Sequence, residues 1–403
     1  MRTGNDSFGV LRWISCPQHP ARRVLPPAEV VRAGPVIRPS LVTSFFGEAS
    51  MRCPRKYQAV VAAFVILAPS AWAQAPATRF PPRDVPAKSI PVPGTVSPEL
   101  QAVIAQAPRA GWNTPPTTPE AWEQLVKQLE AAGSATVQPT AERLHVKFEA
   151  SSIDGVKVYT VTPDDIPPEN RNRLLVHVHG GCYVLGPHLA ALPEALQVAG
   201  ASHIKMISVN YRMPPEAYFP AALDDAVTVY KAATAMVPPK NLGVFGSSAG
   251  GALTLEMMLR AKAAGLPMPG AIAPGTPMAD ATNAGDTFQT NALVDNVLVS
   301  PTGFCDAATR FYAHGHDLAD PLLSPIYGDF RGFPPAILSS GTRDLLLSNT
   351  VRTNQNLREA GVDTRLQVFE GQSHAQFYRD DRIPEDRFAI GEIAAWFDKH
   401  LGR

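Results

Sequence analysis

Cysteine is scarce in this chain: four residues in 403, too few for a disulfide scaffold. Cys16 and Cys53 fall at or before a segment expected to be removed, which leaves Cys182 and Cys305. In an oxidising compartment these two could pair, although two cysteines in a large domain more often stay unpaired, and the sequence gives no distance between them. An excess of one charge sign is also lacking. Lys+Arg and Asp+Glu number 36 each, so no nucleic-acid partner and no anionic membrane surface is favoured. The N-terminal apolar run at 59–68 falls well short of the roughly twenty residues that span a bilayer, which excludes stable membrane insertion by that segment. Internal repeats are absent. What remains is 45% hydrophobic and 18% charged, an ordinary globular composition, and long enough for one α/β core with appendages.

Proline, by contrast, is abundant at 40 residues, many of them within the first 120, which predicts an irregular N-terminal region. Arg52, Arg55 and Lys56 precede the apolar run, and Ala71, Trp72 and Ala73 follow it before Gln74. A charged start, a short apolar core and Ala-x-Ala are the parts of a secretory signal peptide, so residues 51–73 are read as one and the protein as secreted or periplasmic. Met51 stands where an initiator belongs, and residues 1–50 are expected to be an upstream extension absent from the mature protein. Residues 74–140 then form an N-terminal arm, extended to about 118, followed by a helix from Pro119 to Ala132 capped by Gly133.

Residues 141–403 read as one large domain. Alternation around Asp154-Gly155 marks a hairpin over 142–162. Strands at 174–178, 205–209, 270–273, 336–340 and 364–369, with the apolar run from Leu242 that ends in Gly246 among them, then alternate with helices at 188–198, 221–235, 252–262, 349–360 and 390–401. Such alternation specifies an α/β fold with a mostly parallel sheet flanked by helices. The segment near 278–333 breaks the rhythm, with one helix-like piece at 306–313, and is read as an insertion that roofs the site.

The short apolar run from Leu242 ends in Gly246-Ser247-Ser248-Ala249-Gly250 and is followed by a helix. Strand, sharp turn and helix are the context in which Gly-x-Ser-x-Gly presents a nucleophile. The pentapeptide alone fits a Gly/Ser-rich turn equally well, and the rest of the chain must decide. A serine hydroxyl needs a base to take its proton and a third group to orient that base. Asp344 follows the strand at 336–340 and His374 the strand at 364–369, so both loops emerge at the sheet edge that carries Ser248. A helix N-cap or a salt bridge with Arg343 is the plain alternative for Asp344. The loop His179, Gly180, Gly181, Cys182, Tyr183 follows the strand at 174–178, where its backbone N–H groups and that of Ala249 can converge on one oxygen.

Several motifs in order resemble the bacterial hormone-sensitive-lipase-like esterases of the α/β-hydrolase fold. They are His179-Gly180-Gly181, Asn210-Tyr211-Arg212, the run from Phe219 to Asp225, Gly246 to Gly251, the run from Asp320 to Pro325, and Asp344 with His374. The resemblance covers roughly 140–400. It implies a serine carboxylesterase with a helical cap, no cofactor and no metal, acting on a small-molecule ester of short or medium acyl length. It also implies Gly181 and Cys182 as oxyanion donors with Ala249. A lactone hydrolase with the same triad is the near alternative, and a non-catalytic small-molecule receptor on the same fold the distant one. The chain departs from the family at Cys182, which replaces a third glycine and brings a thiol beside the acyl site, at Ser247 and at Ser348. Tyr183, Phe304, Phe311 and Phe377 are candidate pocket walls.

Overall fold

The structure, a computed structural model, describes residues 81–402. The extension expected at 1–50 and the signal peptide expected at 51–73 lie outside the described residues. The arm is less featureless than its prolines suggest, because it contains a short helix, α1 (Pro98–Ile104). Ser97 caps it, its hydroxyl accepting from the Leu100 N–H, and Leu100 and Ile104 are buried. The same serine donates through its N–H and its hydroxyl to Glu385, both at 2.7 Å and 288 residues away in sequence. Helix α2 (Pro119–Ser134) starts as read, at Thr118, but runs through the expected cap Gly133. A Cβ at Gly133 would lie 3.1 Å from that of Ala190, so this glycine serves a close helix contact rather than a terminus. Helix α3 (Val137–Arg143) completes the region before the sheet.

Eight strands form one sheet: β1 (Val146–Ile153), β2 (Val156–Pro163), β3 (Leu174–Val178), β4 (Met206–Val209), β5 (Leu242–Ser247), β6 (Ala271–Gly275), β7 (Ala336–Gly341) and β8 (Thr364–Phe369). Their spatial order is β1-β2-β4-β3-β5-β6-β7-β8. The first two pair as an antiparallel hairpin, turning at Asp154 and Gly155, both at positive φ. β2 meets β4 antiparallel, and from β4 to β8 every pairing is parallel. The loops that leave β3, β5, β6, β7 and β8 therefore open on one edge, with β5 near the middle.

Between the strands run α4 (Pro193–Ser202), α5 (Ala221–Met236), α6 (Ala249–Ala263), α7 (Thr287–Thr290), α8 (Phe304–Ala313), α9 (Leu347–Glu359) and, last, α10 (Pro384–His400). Strands β3 and β5 are buried along their whole length, as a parallel strand covered on both faces requires. Successive residues split between two cores. Leu174, Val176 and Val244 pack with residues of α5, α6 and α8, while Leu175 and Phe245 pack with α4 and α10. The segment between β6 and β7 carries α7 and α8, and Phe304 and Phe311 of α8 lie against Trp122 of α2, with ring centroids 5.1 and 5.5 Å apart.

Candidate active site

The chain reverses at Ser248 with φ 61° and ψ −121°, a conformation that a side chain tolerates only when its surroundings impose it. Those surroundings are backbone. The Ser248 N–H donates to Gly275 O at 2.9 Å, and its carbonyl accepts from Ala252 and Met278 at 3.0 Å each. A Cβ at either Gly246 or Gly250 would sit 2.0 Å from the Val178 carbonyl oxygen, so both must be glycine for β3 to pass the turn.

Asp344 sits in the loop after β7 and is fully buried. Four donors meet its carboxylate. His374 Nδ1 lies 3.0 Å from Oδ1, where the Leu346 N–H also donates at 2.8 Å, and the hydroxyls of Ser340 (2.8 Å) and Thr276 donate to Oδ2. Burial alone would push this carboxyl up, but the His374 imidazole and the hydrogen bonds from His374, Thr276 and Leu346 outweigh it and hold it below its ordinary range. The alternatives for Asp344 recede. Helix α9 begins at Leu347, after a cap at Leu346, and the Arg343 guanidinium donates to Pro91 O.

His374 is buried, and its second nitrogen, Nε2, has no hydrogen-bond partner among the described residues. It lines, together with Ser248, a cavity of about 370 Å³. Other histidines are engaged elsewhere, His177 by the Ser208 hydroxyl at 2.9 Å and His316 by Asp320 at 2.7 Å.

The loop after β3 lies against the elbow. A Cβ at Gly180 would be 2.8 Å from Ser247 O and 3.2 Å from Ser248 Cβ. The loop folds on itself, with the N–H groups of Val184 and Leu185 both reaching Gly181 O, at 3.0 and 2.8 Å. Gly181, Cys182 and Tyr183 all take positive φ. The N–H groups of Gly181 and Cys182 in this turn, and that of Ala249 at the start of α6, have no acceptor among the described residues. His179 braces it. Its ring stacks on Tyr211 at 4.1 Å, Nδ1 lies 2.7 Å from Gly180 O, and the Tyr211 hydroxyl donates to His179 O at 2.7 Å. Burial pulls the His179 imidazole down to about 3, so the ring is neutral and Nδ1–H is the donor to Gly180.

A family model described as alpha/beta hydrolase fold matches residues 175–378, half of the chain. The chain belongs to this family. An acetyl-hydrolase of Streptomyces hygroscopicus is 30% identical over 232 residues, covering 57% of this chain and 77% of that protein. The crystal structure of an esterase superposes with a TM-score of 0.77 at 38% identity, covering 80% of this chain and 99% of that one. A hormone-sensitive lipase from a metagenome library gives a TM-score of 0.64 at 27% identity, covering 72% of this chain and all of the other. This α/β-hydrolase is thus an enzyme of the hormone-sensitive-lipase-like esterase group, and the receptor reading falls away.

Two expectations about the hydrolase's site need correction. Cys182 is not a free thiol beside the acyl site: it forms a disulfide with Cys305 of α8, with Cα atoms 5.5 Å apart. The sequence hid this because 123 residues separate the two cysteines, and only the packing of the insertion on the β3 loop brings them together. The second correction concerns the pocket walls. Tyr183 and Phe377 are fully buried in the core, and Phe304 and Phe311 pack on Trp122 rather than facing the cavity. Its walls beside Ser248 are Leu185, Val297, Leu298 and Tyr378, with two arginines, Arg109 and Arg379.

Residues that sequence reasoning missed support the loops from below. Thr276 and Ser340, at the ends of β6 and β7, reach Asp344. Asn296 in the insertion joins three segments. Its backbone accepts from the Arg109 N–H and donates to the Ser373 hydroxyl, while its side chain bonds Gln376 and the Val103 carbonyl. Asp295, fully buried beside it, takes the N–H groups of Leu345, Val297 and Leu298, and burial with the adjacent Asp344 charge pushes its carboxyl up. None of these lies in a recognisable motif. Their common signal is only that they fall at or beyond the carboxyl edge of the sheet. Among the described residues no group of three or more His, Cys, Asp or Glu side chains is placed to hold a metal ion.

Proposed function

We propose that this enzyme hydrolyses carboxylic esters of short to medium acyl chains through an acyl-enzyme. Ser248 Oγ attacks the ester carbonyl while His374 Nε2 takes its proton and passes it to the departing alcohol. Asp344 holds the imidazole through Nδ1 and stabilises the imidazolium formed in between. The N–H groups of Gly181, Cys182 and Ala249 receive the oxyanion, a contribution typically worth about 3 kcal/mol per donor. Water then attacks the acyl group, His374 takes the water proton, and the acid leaves with Ser248 restored.

The observation that carries this reading is the 3.0 Å contact between His374 Nδ1 and Asp344 in a cavity shared with a serine held at φ 61°. The similarity to an acetyl-hydrolase favours the short end of the acyl range. A secreted or periplasmic location belongs to the same proposal. The Cys182–Cys305 disulfide supports it, since such bonds persist in oxidising compartments.

Labelling tests the nucleophile. Treatment with diethyl p-nitrophenyl phosphate is expected to release one equivalent of p-nitrophenol and to leave a diethylphosphoryl group on the peptide that contains Ser248. A label on another residue, or none, would overturn the assignment. Rates on p-nitrophenyl esters of increasing chain length, with lactones alongside, would define the acyl range.

A further inference from the structure

The cavity that contains Ser248 and His374 is lined by two arginines, Arg109 and Arg379, and by a single acidic side chain among the described residues, Glu194. Glu194 is already occupied, accepting from the Ser247 hydroxyl at 2.8 Å and lying 3.6 Å from His177 Nε2. Neither arginine makes an ion pair among the described residues, although carboxylates are close by in sequence and space. Each of those has another donor. Asp380 is gripped by the Arg382 guanidinium at 2.6 and 2.8 Å, Asp381 by Arg143, Asp386 by the Gln372 amide at 2.9 Å, and Asp295 by three backbone N–H groups.

Arg109 is also held in place. Its N–H is bonded to Asn296 O at 3.0 Å, and its guanidinium stacks over the Phe304 ring, 4.2 Å from the centroid. Burial, and then the nearby positive charge of Arg379, pull that guanidinium below its ordinary range. Arg109, half-buried and held by a favourable cation–π contact, and Arg379, exposed and within the field of Asp386 and Asp295, thus bring two guanidinium charges to one cavity, and no carboxylate among the described residues forms an ion pair with either. Guanidinium groups match a carboxylate in shape as well as in charge.

We propose that Arg109 and Arg379 form an anion subsite in the substrate cavity, so that this enzyme prefers esters bearing a second, ionised acid group remote from the scissile bond. This deepens the proposed ester hydrolysis and rests on it. The recognised chemistry is a carboxylate carried on either the acyl or the alcohol arm of the ester.

Hydrolysis by the full-length mature enzyme can be followed by pH-stat titration on two matched pairs. Monoethyl adipate against ethyl hexanoate places the charge on the acyl arm, and 4-acetoxybutanoate against butyl acetate places it on the alcohol arm. One anionic ester is expected to exceed its neutral partner at least tenfold in kcat/KM, and the pair that does so identifies the arm. In Arg109→Gln and Arg379→Gln the loss should fall at least tenfold harder on the anionic ester than on its partner, and Arg109→Lys should recover part of it. Equal losses on both members of a pair, or no anionic preference in the wild type, would overturn the subsite. Calorimetric binding of monoethyl adipate to Ser248→Ala separates the two claims. Binding that weakens with the arginine substitutions supports the subsite even if Ser248→Ala retains turnover, whereas turnover by that variant would refute only the catalytic assignment.

Discussion

Cys182 and Cys305 are joined by a disulfide, so the loop that presents the proposed oxyanion donors is fastened to helix α8 of the insertion. Closing a loop of 123 residues restricts the unfolded chain by about 5 kcal/mol on the chain-entropy account. Cys305→Ser keeps the Cys182 N–H but frees the loop. It is expected to lower the melting temperature by several degrees and to reduce kcat, and dithiothreitol should do the same to the wild type. Melting curves and kcat with and without reductant check this, and unchanged values on reduction of the bond would contradict it.

Asp344 meets four donors, so its replacement disturbs more than one contact. In Asp344→Asn the amide can no longer accept from Nδ1–H as a carboxylate does, nor stabilise an imidazolium. A fall in kcat of about 10⁴ is expected, with a much smaller change in KM. Steady-state kinetics on p-nitrophenyl butyrate decides. A fall of less than tenfold would mean that Asp344 is structural.

Glu256 accepts from the Tyr183 hydroxyl at 2.7 Å beneath the donor loop, and burial pushes its carboxyl up to about 8. In the unfolded chain it ionises near 4.5, so between these values the folded state holds a proton that the unfolded state has lost. Stability from this group is therefore fully present below pH 4.5 and is lost as the pH rises to about 8. Each tenfold difference in proton affinity between the two states is worth about 1.4 kcal/mol. Glu256→Gln keeps an acceptor for Tyr183 and removes the titration. Its melting temperature relative to the wild type is expected to rise between pH 5 and pH 9; a constant difference across that range would contradict the account.

The parallel sheet, and the placing of Ser248, Asp344 and His374 at one edge of it, were legible because they rest on local chemistry. The short apolar run from Leu242 to Phe245 ends in Gly-x-Ser-x-Gly, and both glycines meet the same Val178 carbonyl. Strands β3 and β8 fall at the bounds that their patterns predict. What was not legible depends on distant segments. Helix α1 has two buried residues, too few for a period, and is held by Glu385 at the other end of the chain. The disulfide, the bridging Asn296 and the arginines of the cavity likewise arise from the way the insertion and the arm return to the site. Gly133 shows the converse. A glycine near the expected end of a helix signals a terminus, yet here it serves contact with Ala190.

The central claim is that Ser248, held by its backbone in a conformation otherwise avoided, is the nucleophile for His374 and Asp344. The most direct measurement is the kcat/KM of Ser248→Ala on p-nitrophenyl butyrate, with folding checked by circular dichroism. A fall of about 10⁴ or more in a protein that keeps the wild-type spectrum is predicted. Turnover within tenfold of the wild type would contradict it.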